Sequence, residues 1–521
     1  MTTTRTRWMT ALAVPVALAA LVSGCSDSGG DHATSETGAV APDAALPPEP
    51  GPVPPGPTQD NTFVDVGRNP FVTTVEDARS TFALDVDTGS YTVSRELVAQ
   101  GYLPPAAAVR TEEWVNAFDY GYRAPTGEDF AVVTGGAAAT LTGTEGTELV
   151  RVGLAAREVP DEQRPPAAVT LVVDVSGSMD GEDRIGLVRR SLEVLAEHLR
   201  PDDTVAVVTY GSEAAVLLTP TPVSDRDALL GAVRGLQIDG STNLEGGIRL
   251  GYAQAREMFR QDGVNAVVLA SDGVANVGDT GPGSIVETIR QEGQRGINLV
   301  SVGFGTGNYD DHMMEQLANQ GDGFYSHVDT TDEAQRLFGD ELTSTLTVIA
   351  RQAKLQVSFD PAQVAEYRLL GYENRAIADE DFLDDTVDAG EGGAGHTVTA
   401  LYEVRRAQGA SAEQIGTVDL RWESVAEGGA VQQRSWPLST RGGDERVELA
   451  ATVAAAAEVL RAQPGADAVD GQEQEQQQPV DVAAGLEPVL AQAEQLAERE
   501  VEGAQELVDL LRQARGATPY E

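Results

Sequence analysis

The sequence predicts a multidomain chain. A central α/β, doubly wound domain with a mainly parallel sheet is flanked by a small α+β N-terminal module and a mainly β C-terminal module with terminal helices. Three observations carry this. A chain of 521 residues exceeds what one hydrophobic core holds. Between about 167 and 346, the apolar runs "AVTLVVD", "TVAVVTY", "NAVVLAS" and "INLVSVGFG" alternate with helical patterns, the signature of parallel strands covered on both faces. From about 347 to 443, "AKLQVSF", "HTVTALYEV", "IGTVDLRWE" and "QQRSWPL" alternate polar and apolar residues, the period of strands with one buried face.

The first 24 residues read as a signal peptide. Arg5 and Arg7 form a basic start, an apolar run follows from Met9 to Val22, and small residues precede Cys25. That run is short for a membrane span. The ending Leu21-Val22-Ser23-Gly24-Cys25 resembles the lipobox of bacterial lipoproteins, which implies lipidation of Cys25 and attachment to the outer face of a cell membrane. Cys25 is the only cysteine, so no intramolecular disulfide can use it. Residues 25 to 61 are rich in Pro, Gly, Ser, Asp and Ala, cannot bury a core, and read as a disordered spacer. Its length would hold the folded part on the order of 30 Å from the membrane.

Residues 62 to 166 form the N-terminal module. "STFALDVD" predicts a strand with Phe82, Leu84 and Val86 inward and Asp85 and Asp87 outward, followed by a helix over about 91–100 and a short helix in "VRTEEWVNAFDYGY". In the central domain, residues 167 to 346, Ile185, Val188, Leu192, Leu195 and Leu199 mark the buried stripe of the first helix. "EAAVLLTPTPV" reads as an antiparallel edge strand, because its prolines cannot serve a central one. Residues 444 to 521 carry the terminal helices: "ERVELAATVAAAAEVLRA", a Gln/Glu-rich linker at 464–479, and an amphipathic helix over about 486–515. The apolar stripe of that last helix can pack on its own chain or on another protein.

Two stretches pose the functional question: "FALDVDTGSY" and "TLVVDVSGSM" each end an apolar run in an aspartate followed by glycine and hydroxyls. The second follows a fully apolar strand. In doubly wound folds the ligand site lies beyond the carboxyl ends of such strands, where Asp174, Ser176 and Ser178 emerge. The strand "VVLASDG" brings Asp272 to the same rim, and "GSTNLEGGI" places Thr242 just before a helix. Two carboxylates and three hydroxyls make a hard, all-oxygen donor set suited to magnesium, with manganese or calcium as alternatives.

"DVSGSM", "GSTN" and "SDG", in that order on these elements, resemble the metal-ion-dependent adhesion site of von Willebrand factor type A (VWA) domains. The resemblance implies that Asp174, Ser176, Ser178, Thr242 and Asp272 hold a divalent cation whose open position takes an acidic side chain of a protein partner. "NPFVTTVEDARSTFALDVDTGSYTVSR" and "YRLLGYENRAIADEDFLDDTVDAGEGGAGHTVTALYEV" further resemble the modules that accompany this domain in a group of bacterial VWA lipoproteins. The function implied is adhesion at the cell envelope without catalysis. A metal-dependent hydrolase using Asp174 and Asp272, and an envelope scaffold with a purely structural metal site, are the alternatives. For the hydrolase the nearby acids Asp180, Glu182 and Asp183 read as loop residues rather than a general base.

The remaining signals mostly exclude. The formal net charge of −46 argues against nucleic-acid binding, since phosphate would be repelled. "DTGS" matches one loop of an aspartic protease, but the second loop such an enzyme needs is absent from the sequence. Lys354, the only lysine, follows no glycine-rich turn, so there is no P-loop. "DEDFLDDTVD" lacks the glycine and final glutamate of a calcium loop and reads as a solvated acidic segment.

Overall fold

The strand Ala167–Asp174 is buried along its whole length inside a six-stranded sheet. It pairs in parallel with Thr204–Tyr210 on one side and Val264–Ser271 on the other. Asn298–Phe304 and Tyr325–Val328 continue the parallel side, and Ala214–Pro222 forms the opposite edge, antiparallel, as its prolines require. Alternate residues serve two cores. Val169, Leu171 and Val173 join Ile185, Val188, Leu192 and Leu195 of the helix Ile185–His198, while Val172 and Val208 join Ile248 and Tyr252 of the helix Leu244–Glu257. Helices on both faces make this sheet doubly wound.

The computed structural model describes residues 63–84, 87–138, 146–273, 282–305, 311–341, 346–385, 387, 389–463 and 481–520. The expected signal segment, Cys25, the spacer, Asp85 and the linker at 464–479 lie outside these residues.

The stretches expected as separate N- and C-terminal modules share their sheets. In one, Phe130–Ala138 and Glu148–Ala156 are joined through Thr397–Arg406 to Val364–Leu370 and Val72–Thr73, every pair antiparallel. In the other, Arg79–Ala83 adds to Val348–Phe359, beside Gln414–Ser424, Ala430–Ser439 and Gly390–Gly393. Phe82, Phe130 and Val150 from before the central domain share one core with Leu355, Tyr402 and Trp422 from after it. The physical reason is strand pairing: each half offers unpaired edges that the other satisfies.

The helix Gly89–Ala99 bridges this assembly and the central domain. Its Val93 and Leu97 enter the core of the parallel sheet, while Tyr91 and Val98 enter a helical core built on Glu445–Arg461, Val482–Glu498 and Ala504–Ala514. The terminal amphipathic helix is broken into two, with Glu500 and Gly503 both at positive φ between them. Its stripe, including Leu486, Val489, Leu496, Leu507 and Leu511, is buried on its own chain.

Asp87 corrects a further expectation. The regular strand ends at Ala83, so the alternation that sent the aspartates outward does not reach it, and Asp87 is 1% exposed. Its Oδ1 accepts from the backbone N of Tyr325 at 2.9 Å and its Oδ2 lies 3.0 Å from Arg375 Nη2. In the acidic segment Glu380, Asp384 and Asp385 are exposed, as expected, while Asp379 and Asp381 are half-buried. Lys354, itself buried, donates to the carbonyls of Asp381 and Asp384, and Arg421 pairs with Asp385 at 2.7 Å. Burial pulls the Lys354 ammonium below its usual pKa.

Candidate metal centre

Asp174 ends its strand opposite Tyr210, and the pairing of Val173 with Ala270 places Ser271 and Asp272 at the neighbouring strand's end. The chain then turns: Ser176 N donates to Asp174 Oδ1 at 2.8 Å, and the Ser176 and Ser178 hydroxyls lie 3.0 Å apart. Ser271 Oγ donates to Asp174 Oδ2 at 2.9 Å and accepts from Gly273 N at 3.2 Å, so it braces both sides of Asp272. Arg184 donates to the carbonyl of Ser178 and ties that loop to the next helix.

The third segment arrives through the backbone. Gly177 N donates to Gly240 O at 2.8 Å, Asp239 N to Val175 O at 2.6 Å, and Asn243 N to Gly211 O at 2.9 Å, which holds the loop carrying Thr242 against the first. Asn243 caps the following helix by accepting from Gly246 N at 2.9 Å. Gly247 is needed next: a Cβ there would lie 2.7 Å from the ring of Tyr210, which is fully buried behind Asp174.

All five residues singled out from the sequence therefore sit on three loops at the carboxyl rim of the sheet. Asp174, Ser176, Thr242 and Asp272 are buried and Ser178 is half-buried. Burial pushes the Asp174 carboxyl above its usual pKa, while hydrogen bonds from Ser176 and Ser271 pull it back. The donor set fits a hard divalent cation, whose charge would offset that burial. Among the described residues, no group of three or more His, Cys, Asp or Glu side chains is arranged to hold a metal ion. Ser271, Tyr210 and Arg184 were not singled out by sequence; only the adjacency of Ser271 to Asp272 could have signalled one of them. Glu182 is exposed and pairs with Arg190 at 3.2 Å, and Asp180 and Asp183 are exposed, as expected of loop acids.

This sheet, with serine, threonine and aspartate gathered at its carboxyl rim, defines a VWA-domain protein, and the VWA family model matches residues 168–340. More particularly, the stretch that follows the VWA domain, residues 344–515, matches the model described as the C-terminal domain of the uncharacterized protein YfbK. A further model described as von Willebrand factor matches residues 57–151. YfbK of Escherichia coli K12 is 36% identical over 351 residues, spanning 66% of this chain and 60% of YfbK. Human inter-alpha-trypsin inhibitor heavy chain H3 is 25% identical over 256 residues, covering 46% of this chain and 28% of that protein. The chain thus spans less than two thirds of either relative. Among solved structures, a von Willebrand factor type A protein from Catenulispora acidiphila is similar at a TM-score of 0.44 and 17% identity, covering 76% of this chain and 91% of that one. VWA domains generally mediate protein–protein interaction and are generally not enzymes.

Proposed function

We propose that this protein is an envelope-tethered adhesion module that holds a divalent cation, magnesium by its donor chemistry, on Asp174, Ser176, Ser178, Thr242 and Asp272. The cation would supply an open coordination position for an Asp or Glu side chain of a protein partner. Asp174 and Asp272 would provide the only anionic ligands, so the site keeps positive charge for that carboxylate. The three hydroxyls orient without adding charge, and Ser271 holds Asp174 in place. The observation that carries this reading is the network joining Asp174, Ser176, Ser178 and Ser271 at the end of the central buried strand.

Cys25 would carry the lipid and the following spacer would set the reach from the membrane. Strong negative charge disfavours long-range approach of an acidic partner, so recognition is short-range and is helped by divalent ions or salt. Calorimetric titration with magnesium tests the site. Wild type should bind and Asp174→Ala should not; equal heats from both would remove the metal from the function. Capture from envelope extract with magnesium, with chelator and with Asp174→Ala then tests the partner, which should be retained only by wild type with magnesium.

A further inference from the structure

The charges buried where the modules meet do not balance. Six carboxylates, Asp87, Glu112, Glu113, Glu315, Glu373 and Glu458, face three guanidiniums of the interior, Arg110, Arg375 and Arg461, with Arg68 exposed at the edge. Most of these acids are served. Glu113 takes Arg110 at 2.8 Å and the Ser90 N at 2.7 Å, and Glu315 takes Arg110, Arg375 at 3.0 Å and Asn374 at 2.9 Å. Glu458 accepts from Thr111 at 2.8 Å, and Arg461 donates to Glu373 Oε1 at 3.3 Å.

Glu112 is different. It lies on the short helix Thr111–Asn116, is 1% exposed, and neither of its carboxyl oxygens has a hydrogen-bond partner on another residue. Its Oε2 packs against the backbone at Gly371, where a Cβ would lie 2.3 Å away. Nearby, Glu373 Oε2 is likewise buried without a donor. A buried carboxylate with no donor is among the costliest groups a fold can hold, whereas a carboxylic acid in the same place is neutral.

We propose that Glu112 is held protonated in the closed junction, and that its ionisation is a latch: release of the proton to water loosens the helix Thr111–Asn116 from residues 371–375 and from the helix Glu445–Arg461. The surrounding groups set where this happens. Burial acts first and Glu373 on the facing loop adds repulsion; Arg461 on the long helix, the backbone N–H of Glu112 itself and Arg110 on its own flank oppose them, leaving the carboxyl raised to about 7. Glu458 and Arg68 lie one step beyond Arg461. An ionised Glu112 would compete for Arg110, the guanidinium that binds Glu315 on the VWA helix Asp311–Gln320, so loosening at Glu112 reaches the VWA domain.

The folded state keeps this proton above the pH at which the unfolded chain loses it. The stabilisation is therefore full below about 4.5, declines as pH rises from there, and is gone once pH passes about 7. Amide hydrogen exchange of the full chain at pH 5, 6, 7 and 8, corrected for intrinsic rates, tests the latch. In wild type, opening of residues 111–116 and 371–375 should quicken by up to roughly tenfold per pH unit between about 5 and 7 and level off above, while Glu112→Gln shows no such rise. The same pH response in both proteins would overturn the proposal. Should Glu112→Gln not fold, infrared spectra of wild type decide: a protonated-carboxyl band present at pH 6 and lost by pH 8 supports the latch, and its absence at pH 6 overturns it.

Discussion

Ser271 Oγ and Asp174 Oδ2 lie 2.9 Å apart, a hydrogen bond between neighbouring parallel strands at the rim of the sheet. Ser271 needs no contact with a cation to matter, because it fixes the direction in which Asp174 presents its other oxygen. Partners of this kind commonly account for 10- to 100-fold in metal affinity. Ser271→Ala should weaken magnesium binding about tenfold or more, and Ser271→Thr should restore most of it; calorimetry on the two variants checks both. If Asp174→Ala abolishes binding while Ser271→Ala matches wild type, the site stands and the bracing role does not.

The contact of Asp87 with Tyr325 and Arg375 joins a segment before the VWA domain, a strand inside it and a loop after it. Removing the Asp87 carboxylate leaves the buried Tyr325 N–H without this acceptor, at about 1 to 3 kcal/mol, while Arg375 keeps Glu315 at 3.0 Å. Asp87→Ala should therefore lower the urea midpoint by that order of stability, or split one transition into two as the VWA domain uncouples. Asp87→Asn, which keeps an acceptor for Tyr325 N, should lose less.

How much of this was legible follows from what each residue depends on. The parallel strands were readable because burial on both faces leaves an apolar run in each, as in Val169 to Val173. The pairing of Arg79–Ala83 with Val348–Phe359 was not, since a strand's own pattern says which face is buried and nothing about a partner far along the chain. Asp87 was misread because alternation was extended past the last paired residue. In the site, "DVSGSM" and "SDG" exposed the candidate ligands, whereas the roles of Tyr210 and Ser271 depend on which strands are neighbours.

Gly247 tests that neighbourhood. The ring of Tyr210 occupies the space where a side chain would go, with Cδ1 2.7 Å from an ideal Cβ. The residue is helical, so strain from substitution would be steric and not conformational. Gly247→Val must push the first turn of the helix Leu244–Glu257 away from the strand end, at about 1 to 3 kcal/mol. Since Asn243 and Thr242 lead into that turn, magnesium affinity should fall together with the melting temperature. Adding Tyr210→Leu should recover part of both, and failure to recover either would place the fault elsewhere.

The acid limb of stability should carry the signature of His396. Its ring meets Phe324 edge-on at 5.6 Å between centroids, and burial, aided by the charge of Arg336, lowers its pKa to about 4. An unfolded histidine titrates near 6.5, so the unfolded chain takes up a proton that the folded chain refuses. Stability from this group is complete above about 6.5 and declines as pH falls toward 4, by roughly 3 kcal/mol at most. Glu112 acts in the opposite sense over part of the same range, so the wild-type curve alone mixes the two. The difference between wild type and His396→Asn isolates the histidine. Urea unfolding at pH 7.5, 6, 5 and 4 should show the variant at a constant offset above 6.5 and gaining on wild type below it. A difference that stays flat to pH 4 would mean that the folded protein admits the imidazolium after all.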